Sequence, residues 1–148
     1  MTGSYTERFS EAWQLIDVLY GDAVAANTES NTGYSSLANF QRVVIIIHPV
    51  DVNDVLDVDI EEALTTAGGS PQALASGGHD ITIAIADTLP SVIELTTDEL
   101  DVNDDYDCIN VEVTTANTGG SGNEFVVEIW GMPNYLPAAT TNLDSVTD

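Results

Sequence analysis

The residues with the strongest claim to chemistry lie between positions 98 and 112. Asp101, Asn103 and Asp105 stand at i, i+2 and i+4, and Glu112 follows eleven residues after Asp101, where a calcium loop carries its bidentate ligand. Asp98, Glu99, Asp104 and Asp107 thicken the same stretch. Two features count against a closed loop. Tyr106 takes the place of the sharp-turn glycine, and residues 106 to 115 alternate like a strand, which would splay the ligands apart. The stretch therefore reads as a solvated acidic turn between strands, with Asp101, Asn103, Asp105 and Glu112 kept as a candidate Ca2+ cluster. Loose binding of hydrated Na+, K+, Mg2+ or Ca2+ is the broader expectation, and no cofactor is called for.

Cys108 is the only cysteine, so an internal disulfide is excluded. A reactive thiolate needs a cationic neighbour or a helix N-terminus, and Asp105 and Asp107 act in the opposite sense. It reads as a buried structural cysteine. His48 precedes Pro49, and His79 follows Gly78; neither has a second His at i+2 to i+4 to form a zinc pair. There is no Gly-x-Ser-x-Gly elbow and no phosphate-cradling loop with Lys. The expectation is a protein without catalytic residues.

The surroundings of these residues are extreme. Twenty-five Asp and Glu face two cations, Arg8 and Arg42, giving a formal net charge of -23 with no Lys at all. Such an excess makes the compact state repel itself in dilute buffer. In molar salt the Debye length falls to about 3 Å and the repulsion is screened. Complete loss of Lys points to a bias of a whole proteome, that of an extreme halophile or a virus of one. Phosphate backbones and anionic membrane surfaces would be repelled, which argues against nucleic-acid and membrane partners. The chain has no run of 18 apolar residues, and Met1 to Ser10 lacks the pattern of a secretory signal. It also has no Asn-x-Ser/Thr acceptor.

Disorder is excluded by the core-forming residues, since 43% of the chain is hydrophobic. A length of 148 residues suits one domain. Residues 1–36 read as an N-terminal arm, in which Ala12, Leu15, Ile16 and Leu19 fit a short amphipathic helix over 11–20 or, alternatively, an extended arm. Asn27 to Ser36 reads as a loop. Residues 37–137 read as the folded domain and 138–148 as a polar tail. Val43 to Ile47 is an unbroken β-branched run, the mark of a strand buried on both faces. Leu56, Val58 and Ile60 alternate with Asp57, Asp59 and Glu61; Ile81, Ile83 and Ile85 share a face; Ile93 pairs with Leu95. Ile109, Val111 and Val113, then Phe125, Val127 and Ile129, complete the inward set. Short strands between Gly-rich turns specify an all-β, antiparallel β-sandwich, jelly-roll-like, preceded by the arm. Asp-Val-Asn-Asp occurs at 51–54 and 101–104 without matching flanks, so it is no repeat. Trp13, Phe40, Trp130 and Tyr135 are candidates for an interface belt, with core placement as the default.

The order of segments also carries a resemblance. Leu15-Ile16-Asp17-Val18-Leu19 is followed by Tyr34-Ser35-Ser36-Leu37-Ala38-Asn39-Phe40, then Arg42 to His48 and Ile60 to Gly68. Pro71-Gln72-Ala73-Leu74, Glu99-Leu100-Asp101-Val102, Tyr106-Asp107-Cys108-Ile109-Asn110-Val111 and Gly131-Met132-Pro133-Asn134-Tyr135 come next. Over residues 12 to 137 this resembles a family of small structural proteins encoded among the head genes of tailed phages and prophages. Ala38 and Gln72 stand where its members usually carry Lys. The resemblance implies a non-enzymatic virion component: a capsid decoration, cement or turret protein that binds the major capsid protein. It would form a closed homo-oligomer, a trimer at local threefold positions, assembled in the cytoplasm of a halophilic host. The alternative is a tail-associated or cell-surface adhesion module on the same sandwich.

Overall fold

The computed structural model describes residues 9–53, 55–74, 79–84, 87–116 and 122–134. One helical turn, α1 (Phe9–Ala12), leads into β1 (Gln14–Val24), β2 (Glu29–Asn31), β3 (Ser35–Ser36), β4 (Phe40–Asp51) and β5 (Leu56–Ala63). Then come β6 (Gln72–Ala73), β7 (Ile81–Ile83), β8 (Ser91–Thr96), β9 (Cys108–Thr115) and β10 (Asn123–Pro133). Two short 3-10 turns, Thr97–Glu99 and Val102–Asp104, lie between β8 and β9. No helix among the described residues is long and apolar enough to cross a membrane.

Every strand pair is antiparallel, and the strands form two sheets. The first has the order β1-β10-β4-β8. The second has β9 and β5 at its centre, β2 and β3 on the β9 edge, and β6 and β7 on the β5 edge. Counting each broken edge as one strand leaves eight, with successive strands or strand pairs shared between the sheets. That is the double-sheet jelly roll expected from the alternation.

The core lies between the sheets. Val43, Ile45 and Ile47 of β4 and Phe125, Val127 and Ile129 of β10 meet Val58 and Ile60 of β5 and Ile109, Val111 and Val113 of β9. Each of these is buried, and each was legible as an inward position. Full burial of such side chains contributes about 1.5–3 kcal/mol apiece.

Several readings of the sequence need correction. The helix over 11–20 is absent: residues 14–24 form β1, because its hydrogen bonds go to β10 across an eight-pair register. The arm ending at residue 36 is likewise no separate unit, since β1 is an outer strand of the first sheet and β2 and β3 are paired to β9. Asn27 to Ser36 holds two short edge strands, Glu29–Asn31 and Ser35–Ser36, rather than loop alone, with Gly33 between them at a φ of 81° that only glycine adopts readily. The break is bridged by side chains. Val111 N–H donates to Thr32 Oγ1 at 3.0 Å, and Gly33 N–H donates to Asn110 Oδ1 at 3.0 Å. Finally, β4 is buried on one face only, with Val44 and Ile46 half-exposed on the other. Ile85, residues 138–148 and most of the tail after Pro133 lie outside the described residues.

Gly21 is required by packing. It pairs with Phe125, and a Cβ at this position would lie 2.5 Å from the Phe125 ring. Gly21→Ala is expected to cost about 1–3 kcal/mol by overpacking, read as a lower denaturant midpoint in concentrated salt. An unchanged midpoint would mean the ring is free to move aside.

Candidate functional site

The structure separates the candidate calcium ligands. Asp101 opens the second 3-10 turn and its carbonyl accepts the N–H groups of Asp104 and Tyr106, at 3.0 and 3.2 Å. Asp105 then turns the chain with a left-handed φ of 65°. Glu112 sits in mid-β9, about 13 Å along the strand from Cys108, and faces Glu29, Asp59 and Glu61 instead. Among the described residues no three His, Cys, Asp or Glu side chains converge closely enough to hold a metal ion.

Cys108 is buried and its thiol lies 3.1 Å from Asp107 Oδ1. Burial, reinforced by the Asp107 carboxylate, pushes the thiol up to about 12. At pH 8 the folded chain is therefore expected to react with iodoacetamide at least a hundredfold more slowly than the urea-unfolded chain, in line with suppression of the thiolate. Equal rates would show the thiol to be open.

The two histidines have carboxylate partners in different places. His79 Nε2 lies 2.9 Å from Glu99 Oε1, while Glu99 Oε2 accepts the Thr96 backbone N–H at 2.6 Å. These contacts, the Thr96 N–H foremost and then His79, hold Glu99 below the usual carboxylate range. The pair ties residues 79–80 to the first 3-10 turn. His48 Nε2 lies 3.7 Å from Glu128 Oε2 on the outside of the first sheet. A cavity of about 280 Å³ opens among Leu37, Phe40, Thr97, Asp98, Leu100 and Tyr106; its lining includes neither histidine. His79's partner Glu99 lines a second hollow, of about 240 Å³, with Arg42, Glu94, Leu95 and Thr96.

The sandwich's two outer faces differ in chemistry. On the second sheet, Asp59 stands directly opposite Glu112, Asp57 lies beside Thr114 and Glu29 beyond it, and Glu61 pairs with Asn110. Directly opposed like charges on a sheet destabilise it. Burial raises the Asp59 carboxyl above its ordinary range, with Asp80, Asp57 and Glu61 adding to the effect. Glu112 is raised in the same way, by burial first and then by Glu29, Glu61 and Asp59. Tyr34 Oη donates to Glu61 Oε2 at 2.6 Å, and burial together with that carboxylate takes the phenol up to about 12.

On the first sheet the outer face carries an apolar band, bounded at one end by Glu124 opposite Asp51. Tyr20, Val126 and His48 form one row across the strands; Val18, Glu128, Ile46 and Val92 form the next; Trp130, Val44 and Glu94 follow. Arg42 lies beyond and is ion-paired with Glu94. Phe9 of α1 covers Trp130 edge-on at 5.0 Å and stacks against Trp13 at 6.2 Å. Of the proposed aromatic belt, Trp13 and Trp130 thus join a small cluster on this side, Phe40 packs against the core, and Tyr135 lies outside the described residues. Phe9 was missed in the sequence, where it stands alone in a polar segment.

No family model matches the chain, and no curated protein matches it, so the resemblance to head-gene proteins stands on the residues quoted for it. Among solved structures, a Tobacco streak virus coat protein is 10% identical over 96% of this chain and 100% of its own, with a TM-score of 0.43. The coat protein dimer of the same virus gives 10% identity, 92% and 95% coverage and a TM-score of 0.43. A chain of the disulfide-linked pili of Bacillus endospore appendages gives 12% identity, 88% and 99% coverage and a TM-score of 0.39. The all-β assignment rests on the sheets themselves.

Proposed function

We propose that this chain is a virion structural protein: a capsid decoration, cement or turret component that reinforces the head shell of a halophilic tailed virus. The observation that carries the reading is the contrast between the two outer faces of one jelly roll. One face is lined by carboxylates suited to brine, and the other carries an apolar band in which Glu94 is ion-paired with Arg42 and Glu128 lies beside His48, with Glu124 and Asp51 opposed at one end. A building block needs such a division, because it must meet solvent on one side and protein on the other. The jelly roll is an architecture shared by viral capsid domains, lectins and cupins, so the fold permits this role without selecting it.

In this role the chain performs no catalytic step. Its partners are the major capsid protein and further copies of itself, and its place is the capsid surface. The outer strands β1 and β8 and the aromatic cluster around Phe9 are the elements available to the shell. Mass spectrometry of purified virions from a halophilic host tests the reading. Many copies per intact head are expected. Recovery only with tails would favour the adhesion module, and absence from particles would end the virion assignment.

A further inference from the structure

Strand β8 ends the first sheet: β4 pairs with one side of it, and among the described residues no strand pairs with the other. One contact fixes which of its backbone groups point that way. Thr96 N–H goes to Glu99 Oε2 at 2.6 Å, and so not to its β4 partner Arg42. By antiparallel alternation Ser91, Ile93 and Leu95 then bond to β4, while Val92 and Glu94 turn their N–H and C=O groups outward. Carried through the registers to β10 and β1, the same parity turns Val18 outward, and its N–H is capped by Asp17 Oδ1 at 2.8 Å. We infer that the free edge of β8 is where two copies of the chain join, antiparallel about a two-fold axis at Ile93, making one continuous sheet of their two first sheets.

The edge fits itself in a single register. Its outward positions are Pro90, which has no N–H, then Val92 and Glu94, then Thr96, whose N–H is already taken. Setting Val92 opposite the partner's Glu94 also sets Pro90 opposite the partner's Thr96. Every free donor then meets a carbonyl, and the two positions without a donor meet each other. Sliding two residues one way opposes Glu94 to the partner's Glu94, a like-charge pair that destabilises. Sliding two residues the other way opposes Glu94 to the partner's Pro90, which cannot donate. A two-fold contact requires this kind of self-complementarity.

The remaining edges are blunted in the ways that keep sheets from pairing further. The register of β1 is irregular at Leu15/Asp17 and at Gly21/Val24, and Asp17 caps Val18. In the second sheet one edge is broken into β2 and β3, the other into β6 and β7. Only β8, running from Ser91 to Thr96, presents an unbroken edge among the described residues. Its own carboxylate, Glu94, is ion-paired with Arg42. Of the acids flanking it, Asp87 accepts the Ala84 N–H, Asp98 lines the cavity beside Leu37, and Glu99 is held by Thr96 and His79. Molar salt screens the rest. The inference goes beyond the virion reading and does not depend on it: presence in particles does not require the pair, and the pair does not require particles.

Sedimentation equilibrium and hydrogen exchange of the full chain in about 3 M KCl test it together. The expected mass is twice the 15.7 kDa of one chain, reached at chain concentrations up to about 1 mM. The Val92 and Glu94 amides should exchange more slowly as concentration rises, while the amide of Tyr20, outward on β1, stays fast throughout. Val92→Pro removes an outward N–H and leaves the bonds of Ser91 and Ile93 to β4 in place. It is expected to weaken association about tenfold or more, with protection of the Ile93 amide retained. If the variant loses that protection as well, the exchange pattern of the unsubstituted chain alone decides. A monomer overturns the proposal, as does the trimer expected from the sequence. A dimer in which Val92 and Glu94 exchange freely, or a protection that ignores concentration, overturns it equally.

Discussion

Transfer from about 3 M KCl to 0.1 M salt is expected to unfold this chain, because the Debye length grows from about 3 to about 10 Å. Carboxylates hidden from each other in brine then interact across a whole sheet face. The cost is concentrated at Asp59 and Glu112, which oppose each other directly and have Asp57, Glu61 and Glu29 as nearby acidic groups. The measurement is circular dichroism during stepwise dialysis, with loss of the β-sheet signal and its return on adding salt back. A fold that persists in dilute buffer would sink both the screening argument and the halophilic assignment.

The same residues set the sign of the pH response. Asp59 and Glu112 titrate above their ordinary range when folded, so the folded chain binds more protons than the unfolded one between the ordinary and raised values. Stability is therefore greatest below that window and falls as pH rises through it. Glu99 acts in the opposite direction: its lowered carboxyl contributes stability above the ordinary carboxylate range, lost as pH falls through its folded value. At moderate salt the thermal midpoint should rise as pH falls through the raised window of Asp59 and Glu112, then decline once Glu99 protonates. Asp59→Asn with Glu112→Gln should raise the midpoint at pH 7 and flatten the first limb, and concentrated salt should shrink the difference. A double variant that is no more stable at low salt would place the repulsion elsewhere.

How much of this was readable in the residues depends on where the pattern stays regular. From β5 onward the inward positions follow simple alternation, and strands β5, β8, β9 and β10 fall where that alternation placed them, while β4 was placed by its unbroken apolar run. The failure at β1 has a geometric cause. The register to β10 skips between Leu15 and Asp17, an irregularity that shifts the parity of the strand. Ile16 and Leu19 then both pack against the core although they are three residues apart, which is helical spacing. The edge pieces β2 and β3 were hidden for another reason: they are three and two residues long, and the break between them is bridged by the side chains of Thr32 and Asn110, which no hydrophobic pattern records. The contrast between the two faces was half visible. Asp57, Asp59 and Glu61 announced an acidic outside, whereas the apolar outside of β4 looked like burial because sequence cannot say which partner covers a strand.

Glu62 continues the inward parity of Leu56, Val58 and Ile60 although its residue type argues against burial, and removing it is expected to be among the costliest single changes in the chain. It follows Glu61 in an acidic pair, but it faces inward and is fully buried. Its two oxygens have separate tasks. Oε1 accepts from Gln72 Nε2 at 2.7 Å, fixing β6 at the edge of the second sheet. Oε2 accepts the Asp101 backbone N–H at 2.9 Å, anchoring the acidic connection between β8 and β9. Glu62→Ala strands both donors, at about 1–3 kcal/mol each where water does not replace the lost acceptor, for roughly 2–6 kcal/mol in total. Glu62→Gln keeps one carbonyl oxygen and turns the other acceptor into a donor, so it should lose about half as much. Urea titration in concentrated salt measures both, and hydrogen exchange locates the effect, with protection of the Asp101 amide falling first. If Glu62→Ala left the midpoint and that amide unchanged, this carboxylate would not be what holds the acidic connection against the sheet.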